Sequence, residues 1–333
     1  MVSEASFLSS GFGTYAKEIL SRLHNTDKYH IAEFACYGTV NDPKDAGIHW
    51  KYYANAVKEN DPRHKEYNSS LENQFGRWRF ERVLLDFQPD VVVDVRDYWM
   101  NSYQQFSPLR PFFHWILMPT VDSAPQQEDW IDTFLHTDAI FTYSDFGRDT
   151  LLEQSNNKIN YISTTSPGVD LKTFYPLPNR AETKKALGIA EDAIVLGSVM
   201  RNQKRKLIPE LFAAIRSLID ELYQQNNPAA DKIHLYLHTS YPDAGWDLPQ
   251  LLKEYNIGNR VLFTYTCKQC GFFKAMRFNH PVTHCLKCGA KAFSMPNVSH
   301  GLPTEHLNMV MNTFDLYIQY AICEGFEIGR AHV

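Results

Sequence analysis

Short apolar runs alternate with amphipathic helical stretches along almost the whole of this 333-residue chain. Parallel strands joined by crossover helices are the arrangement such alternation permits, which makes the fold class α/β. Residues 1–7 read as the end of a strand, 8–13 as a glycine-containing loop and 14–23 as a helix with apolar residues at helical spacing. Further strands are expected at 29–38, 90–95, 112–118 and 139–143, and helices at 71–87, 130–135 and 146–154. Val91, Val92 and Val93, flanked by turn residues, suit a strand covered on both faces. Around Ser166-Pro167-Gly168-Val169-Asp170, and on to Pro176 and Pro178, the pattern lapses into turn residues and marks a linker. It then restarts, with strands expected at 193–199, 233–238, 261–265 and 315–320 and helices at 208–222, 248–255 and 306–313. The length suits two domains of ordinary size, read as 1–170 and 171–326.

Hydrophobic residues at 44% and charged residues at 21% are globular values, so a disordered or fibrous chain is excluded. A net charge of −5 gives no overall attraction to nucleic acid or to an anionic membrane face, so an anionic ligand needs a local site. The longest apolar stretch, 112–119, is far shorter than a bilayer span, and no basic segment followed by an apolar one opens the chain. A cytoplasmic protein without a transmembrane segment is expected, with peripheral membrane contact left open.

Of six cysteines, Cys36 and Cys323 stand alone in apolar surroundings. The other four form two Cys-x-x-Cys pairs, Cys267 with Cys270 and Cys285 with Cys288. Two knuckles brought together by a hairpin aim four thiolates at one point, the donor set of a structural zinc ribbon, here spanning 264–294. Gly271 and Gly289, each just past a pair, supply permissive backbone. A pair of redox dithiols is the competing reading, and His280 or His284 can in principle replace a sulfur. Four thiolates leave no open coordination position, so the metal is expected to be structural rather than catalytic.

Gly11 and Gly13 sit where a strand passes into a helix, a place where bare amides and the helix dipole can face an anion. An ordinary strand-to-helix turn has the same sequence. The strand at 193–199 runs into Met200-Arg201-Asn202-Gln203-Lys204-Arg205-Lys206, four cations at a strand's carboxyl end, poised for a diphosphate. A solvated charge run is the plain alternative. The strand at 315–320 leads into Ala321-Ile322-Cys323-Glu324-Gly325-Phe326, where a carboxylate can accept from sugar hydroxyls while glycine lets backbone approach.

Taken in order, these segments resemble the family-four retaining glycosyltransferases of GT-B architecture, which have two Rossmann-like domains. The residues that carry the resemblance are Ser10-Gly11-Phe12-Gly13-Thr14-Tyr15, Thr142-Tyr143-Ser144, Pro167-Gly168-Val169-Asp170 with Phe174 and Pro176, Arg201 with Lys206, and Glu324-Gly325-Phe326. The resemblance implies a nucleotide-sugar donor in a cleft between the domains, with Gly11 and Gly13 near its phosphates. It further implies that Arg201 and Lys206 neutralise the leaving diphosphate without a catalytic divalent metal, and that Glu324, Gly325 and Phe326 lie beside the donor sugar. The glycosyl group would pass with retention to a glycan, lipid or protein acceptor, chosen by first-domain loops such as the polar stretch 41–73. Where many relatives carry a histidine after the strand at 112–118, this chain has Thr120-Val121-Asp122-Ser123-Ala124-Pro125. Asp122 is therefore the candidate polar group at the reacting centre, with a loop-capping aspartate as its plain alternative.

The family motif continues to a second glutamate eight residues after the first, where this chain has His332. The final Ile328-Gly329-Arg330-Ala331-His332-Val333 translates the adapter sequence ATCGGAAGAGCACACGTC, so 327–333 is read as a sequencing artefact and the donor domain is expected to be truncated. Two other functions fit parts of the pattern: a zinc-ribbon nucleic-acid-binding module, and a sugar-nucleotide epimerase or glycan phosphorylase on the same architecture. The net charge, and the lack of a basic face with interleaved aromatics near the cysteines, argue against nucleic acid as a partner.

Overall fold

A computed structural model describes residues 1–40, 47–279, 283–297 and 300–324. The chain divides into two compact units, Met1–Pro167 and Gly168–Val333.

In the first unit seven strands form one sheet: Val2–Glu4 (β1), Ala32–Cys36 (β2), Lys51–Ala54 (β3), Val91–Asp94 (β4), His114–Leu117 (β5), Ala139–Thr142 (β6) and Ile162–Thr164 (β7). Every pairing is parallel, in the order β3-β2-β1-β4-β5-β6-β7. The order reverses between β1 and β4, and in such sheets ligands bind at the carboxyl edge beside that reversal. The helices are Gly11–His24 (α1), His64–Tyr67 (α2), Leu71–Gln74 (α3), Phe80–Phe87 (α4), Glu128–Leu135 (α5) and Asp145–Gln154 (α6). Trp115, Leu117, Ile140, Phe80 and Phe134 are buried in one core, each contributing about 1.5–3 kcal/mol through loss of hydrated surface.

Three expectations for this unit are corrected. The first helix begins at Gly11 rather than at residue 14, because Ser10 is extended and caps it, and the strand before it is three residues long, Val2–Glu4. The helix expected at 71–87 is broken into α3, a 3₁₀ turn and α4. Gly76 takes φ 117° at the break, and a Cβ there would lie 2.8 Å from both the Phe34 ring and the Tyr103 hydroxyl. The polar stretch 41–73 contains the edge strand β3, whose alternation is too short to read from sequence.

The second unit holds Ile194–Val199 (β8), Ile233–His238 (β9), Val261–Cys267 (β10), Phe273–Met276 (β11), Phe293–Ser294 (β12) and Leu316–Tyr317 (β13). Their order is β11-β10-β9-β8-β13, with β12 also paired to β10. Strands β8, β9, β10 and β13 run parallel, while β11 and β12 run antiparallel to β10. The chain order reverses between β8 and β13, which defines the ligand edge of this sheet. Its helices are Arg180–Leu187 (α7), Ile208–Gln224 (α8), Leu248–Glu254 (α9) and Thr304–Met311 (α10). Helix α7 was not anticipated, although its signals are present: the Asn179 side chain accepts from the Glu182 amide, and Gly188 ends the helix at φ 81°.

The cysteine segment extends the second sheet rather than interrupting it. Strand β9 ends at His238, paired with Val199 at the end of β8, whereas β10 continues past the level of His238 through Tyr265, Thr266 and Cys267. That overhang is roughly 10 Å of strand. Strands β11 and β12 hydrogen-bond to it, so Cys267, Cys285, Phe293 and Met295 share one core with Phe263 and Tyr265.

Candidate functional site

At the carboxyl edge of β8 the chain turns through Arg201 and Asn202 into a 3₁₀ turn, Lys204–Lys206, and then into α8. Leu207 adopts φ 43° there, which turns the chain sharply into the helix. Lys206 is buried, 3% exposed, and its ammonium lies on the carboxylate of Glu324, itself 8% exposed. Arg205 holds the other Glu324 oxygen at 2.8 Å and donates to the Cys323 carbonyl at 2.8 Å. The Arg205 carbonyl in turn accepts from the Ile322 amide at 2.9 Å. The two segments expected at the diphosphate and at the donor sugar thus meet where the sheet order reverses. Burial opposes the Glu324 charge, but Arg205 and Lys206 outweigh it and hold its carboxyl below the ordinary carboxylate value.

Arg201 lies on a different carboxylate. Its Nε and Nη2 donate to Asp243 at 2.8 and 2.9 Å, a bidentate pair on a side chain that is 7% exposed. Ser240 donates its hydroxyl to the same carboxylate. Asn202 fastens the loop bearing Asp243 to the edge of β8: its amide donates to the Trp246 carbonyl at 2.9 Å and its oxygen accepts from the Trp246 amide at 2.9 Å. Gly245 permits this approach, since a Cβ there would lie 2.2 Å from the Asn202 side-chain oxygen. Lys204 stands over the Trp246 ring at 3.9 Å. Three of these cations are thus held by two carboxylates, and the fourth, Lys204, by an aromatic ring. Arg205 and Asn202 entered the sequence reading only as members of the basic run 200–206, and Asp243 not at all, since nothing in Ser240 to Gly245 separates that loop from an ordinary turn.

The four cysteines converge. Their sulfurs lie within 4.8 Å of one another, with Cys267 to Cys288 and Cys270 to Cys285 both at 3.7 Å. A tetrahedron with metal–sulfur bonds of about 2.3 Å has edges of about 3.8 Å, so the donor set fits a tetrahedral thiolate site. Each knuckle closes in the same way, the amide of Gly271 donating to the Cys267 carbonyl at 3.0 Å and that of Gly289 to the Cys285 carbonyl at 2.9 Å. Both glycines have positive φ, 69° and 73°. His284 is exposed and outside the cluster, and His280 lies outside the described residues.

In the first unit Gly11 and Gly13 lie in the first turn of α1, at the carboxyl end of β1. The Gly13 amide is not bare, since it donates to the Ser10 hydroxyl at 3.1 Å. Among the described residues the amides of Gly11 and Phe12 enter no such bond. Gly13 is needed for packing: a Cβ there would lie 2.7 Å from the Leu8 carbonyl and 2.8 Å from that of Ala5. Gly11 faces open space, with nothing within 4 Å. Asp122, five residues beyond β5, is half-buried and makes no hydrogen bond among the described residues. Ser144 caps α6 by accepting from the Gly147 amide at 3.2 Å. Asp170 closes a turn just past the boundary of the two units, accepting from the Lys172 amide at 3.0 Å and the Thr173 hydroxyl at 2.8 Å. Gly325, Phe326 and 327–333 lie outside the described residues.

No family model matches the chain, and no curated protein matches it. Solved structures do. The chain is similar to WaaG, a glycosyltransferase involved in lipopolysaccharide biosynthesis, at 12% identity and a TM-score of 0.58, over 95% of this chain and 73% of that one. It is similar to a trehalose-6-phosphate protein from E. coli bound with UDP-2-fluoro glucose, at 15% identity and a TM-score of 0.56, over 98% and 78% of the two chains. It is also similar to HepE of Anabaena in complex with UDP and glucose, at 13% identity and a TM-score of 0.53, over 92% and 68%. Among the described residues no helix is long and apolar enough to cross a membrane. The likeness shows the fold that this chain shares with those glycosyltransferases, the GT-B fold of two Rossmann-like units.

Proposed function

We propose that the chain is a glycosyltransferase that takes a sugar from a nucleotide-sugar donor, whose diphosphate is bound at the carboxyl edge of the second sheet. The observation that carries this reading is the meeting of Arg205 and Lys206 with Glu324 at the reversal of strand order, with Arg201 held by Asp243 at the end of the same strand. When the glycosidic bond to the diphosphate breaks, negative charge grows on the leaving oxygens. Cations held at the strand end can stabilise that charge, the role a divalent metal fills elsewhere. Lys206 and Arg205 are engaged by Glu324, so an arriving diphosphate competes with that carboxylate and turns it toward the sugar hydroxyls. By the sequence resemblance alone, Gly325 and Phe326 would lie beside the donor sugar. Gly11 and Gly13 as the backbone near the phosphates, Asp122 as the polar group at the reacting centre, and retention of configuration all rest on the sequence resemblance.

The four thiolates would hold zinc, supported by the sulfur spacing and the two matching knuckles. The ion would supply folding energy and no chemistry, because four sulfurs close its coordination. Four cysteines gathered as one metal-binding set, with no disulfide among the described residues, suit a reducing, cytoplasmic compartment. The acceptor is a glycan, lipid or protein.

Calorimetric titration with a panel of nucleoside diphosphates tests the reading. At least one should bind, and Arg201→Ala and Lys206→Ala should each weaken it at least tenfold. A chain that binds none of them is not this enzyme.

A further inference from the structure

The overhang of β10 carries the ribbon beyond the sheet edge and against the loop that holds Arg201. Tyr265, buried on that overhang, both accepts from the Asn279 amide at 2.6 Å and donates to the Asn279 carbonyl at 2.8 Å, which fixes the backbone beside Phe278. The Phe278 ring meets Phe263 of β10 at 5.7 Å and stands edge-on to Tyr241 at 5.3 Å and 76°. Tyr241 is the neighbour of Ser240, whose hydroxyl donates to Asp243, and Asp243 holds two nitrogens of Arg201. A path of packed rings and hydrogen bonds, joined by short covalent steps along the chain, therefore runs from Tyr265, two residues before Cys267, to the arginine.

Asp243 looks at first like a poor neighbour for an anion site, since its charge opposes that of the ligand. Its geometry suggests another use. A guanidinium has five N–H donors in a rigid fork, and anchoring Nε and Nη2 sets the direction in which the rest of the fork points. A flexible, solvated arginine must lose that freedom when the ligand arrives; a clamped one has lost it already.

We propose that Asp243 is the positioning residue for Arg201, and that the metal-bearing ribbon holds Asp243 in place through Phe278 and Tyr241, so that metal retention and diphosphate binding are linked. The inference rests on the reading of Arg201 as a diphosphate ligand. Linkage is reciprocal: whatever the metal adds to diphosphate affinity, the diphosphate adds to metal retention.

The test is calorimetric titration of UDP, or of the nucleoside diphosphate that binds best, into the zinc-loaded full chain. Asp243→Asn should weaken binding about tenfold. A purely electrostatic role predicts the opposite, because removing a negative charge beside an anion tightens it. Tyr241→Ala should weaken binding similarly at an unchanged one zinc per chain, while Tyr241→Phe, which keeps the ring, should bind like the parent. Saturating nucleotide should slow loss of zinc to a chelator in the parent protein and have no effect in Asp243→Asn. If the parent binds and Arg201→Ala does not, yet Asp243→Asn and Tyr241→Ala bind as the parent does, the positioning role is overturned and the assignment of Arg201 stands. If the parent binds no nucleoside diphosphate, both fall together.

Discussion

Lys206 and Glu324, 118 positions apart in sequence, form a nearly buried ion pair at the point where the second sheet reverses its strand order. Arg205 completes the pair by taking the second carboxylate oxygen. The segment past β13 is thereby tied to the turn past β8, and two stretches that the sequence offers separately become one electrostatic unit.

Removing one partner strands the other. Lys206→Met should destabilise the second unit by about 2–3 kcal/mol, less than the full cost of breaking a buried pair because Arg205 remains. Glu324→Gln, which leaves the buried Lys206 beside Arg205 without a counter-charge, should cost at least as much, and the double variant should cost less than the two singles together. Scanning calorimetry of the four proteins gives the coupling. A strictly additive result would mean that the two side chains do not interact.

The same pair sets a pH dependence. The Glu324 carboxyl sits below its ordinary value of 4.5 in the folded chain, so the unfolded chain takes up a proton first as pH falls. Its contribution is complete at neutral pH and is lost as pH drops through the folded value, below 4.5. The melting temperature of the second unit should therefore fall less steeply between pH 5 and pH 3, to be read at about those values, in Glu324→Gln than in the parent.

The two glycines of the first turn should separate. Gly13→Ala places a methyl 2.7 Å from the Leu8 carbonyl and should cost about 1–3 kcal/mol. Gly11→Ala meets open space and replaces a poor helix former, so it should be neutral or stabilising by up to about 1 kcal/mol. Any loss of nucleotide binding in Gly11→Ala would then come from the approach of backbone to ligand, since folding is unharmed.

Asp94 and Arg96 are both fully buried, with Arg96 also donating to the Phe75 carbonyl and Gln104 to Asp94. Asp94→Asn leaves a guanidinium inside the first unit without its counter-charge, and should cost about 3–5 kcal/mol. A calorimetric transition of the first unit that keeps its parent temperature would show that the charge finds compensation elsewhere.

Chelation should act mainly on the second unit, because Cys267 and Cys285 belong to its core. One zinc per chain is expected by elemental analysis. Its removal should lower the melting temperature of that unit and leave the first unchanged, structural zinc sites being worth on the order of 10 kcal/mol. Absence of bound metal from protein prepared in its presence would leave the thiols as dithiol pairs.

Periodicity alone was enough to place most strands and helices of both units, because apolar spacing reports directly which face of an element is covered. Local chemistry likewise foretold the two knuckles, since a Cys-x-x-Cys followed by glycine closes through its own backbone. What failed in the sequence were short or half-exposed elements, β3, β7 and α7, and the break at Gly76, where a distant Phe34 and Tyr103 decide the conformation. The sequence determined that Arg201, Lys206 and Glu324 would stand at strand ends. Only the tertiary structure decided their partners, Asp243 for Arg201 and Glu324 for both Lys206 and Arg205, and likewise the ribbon as a raised continuation of β10 and a Gly13 amide already capped by Ser10. Strand order and loop packing are cooperative properties of the whole sheet, and no single segment carries them.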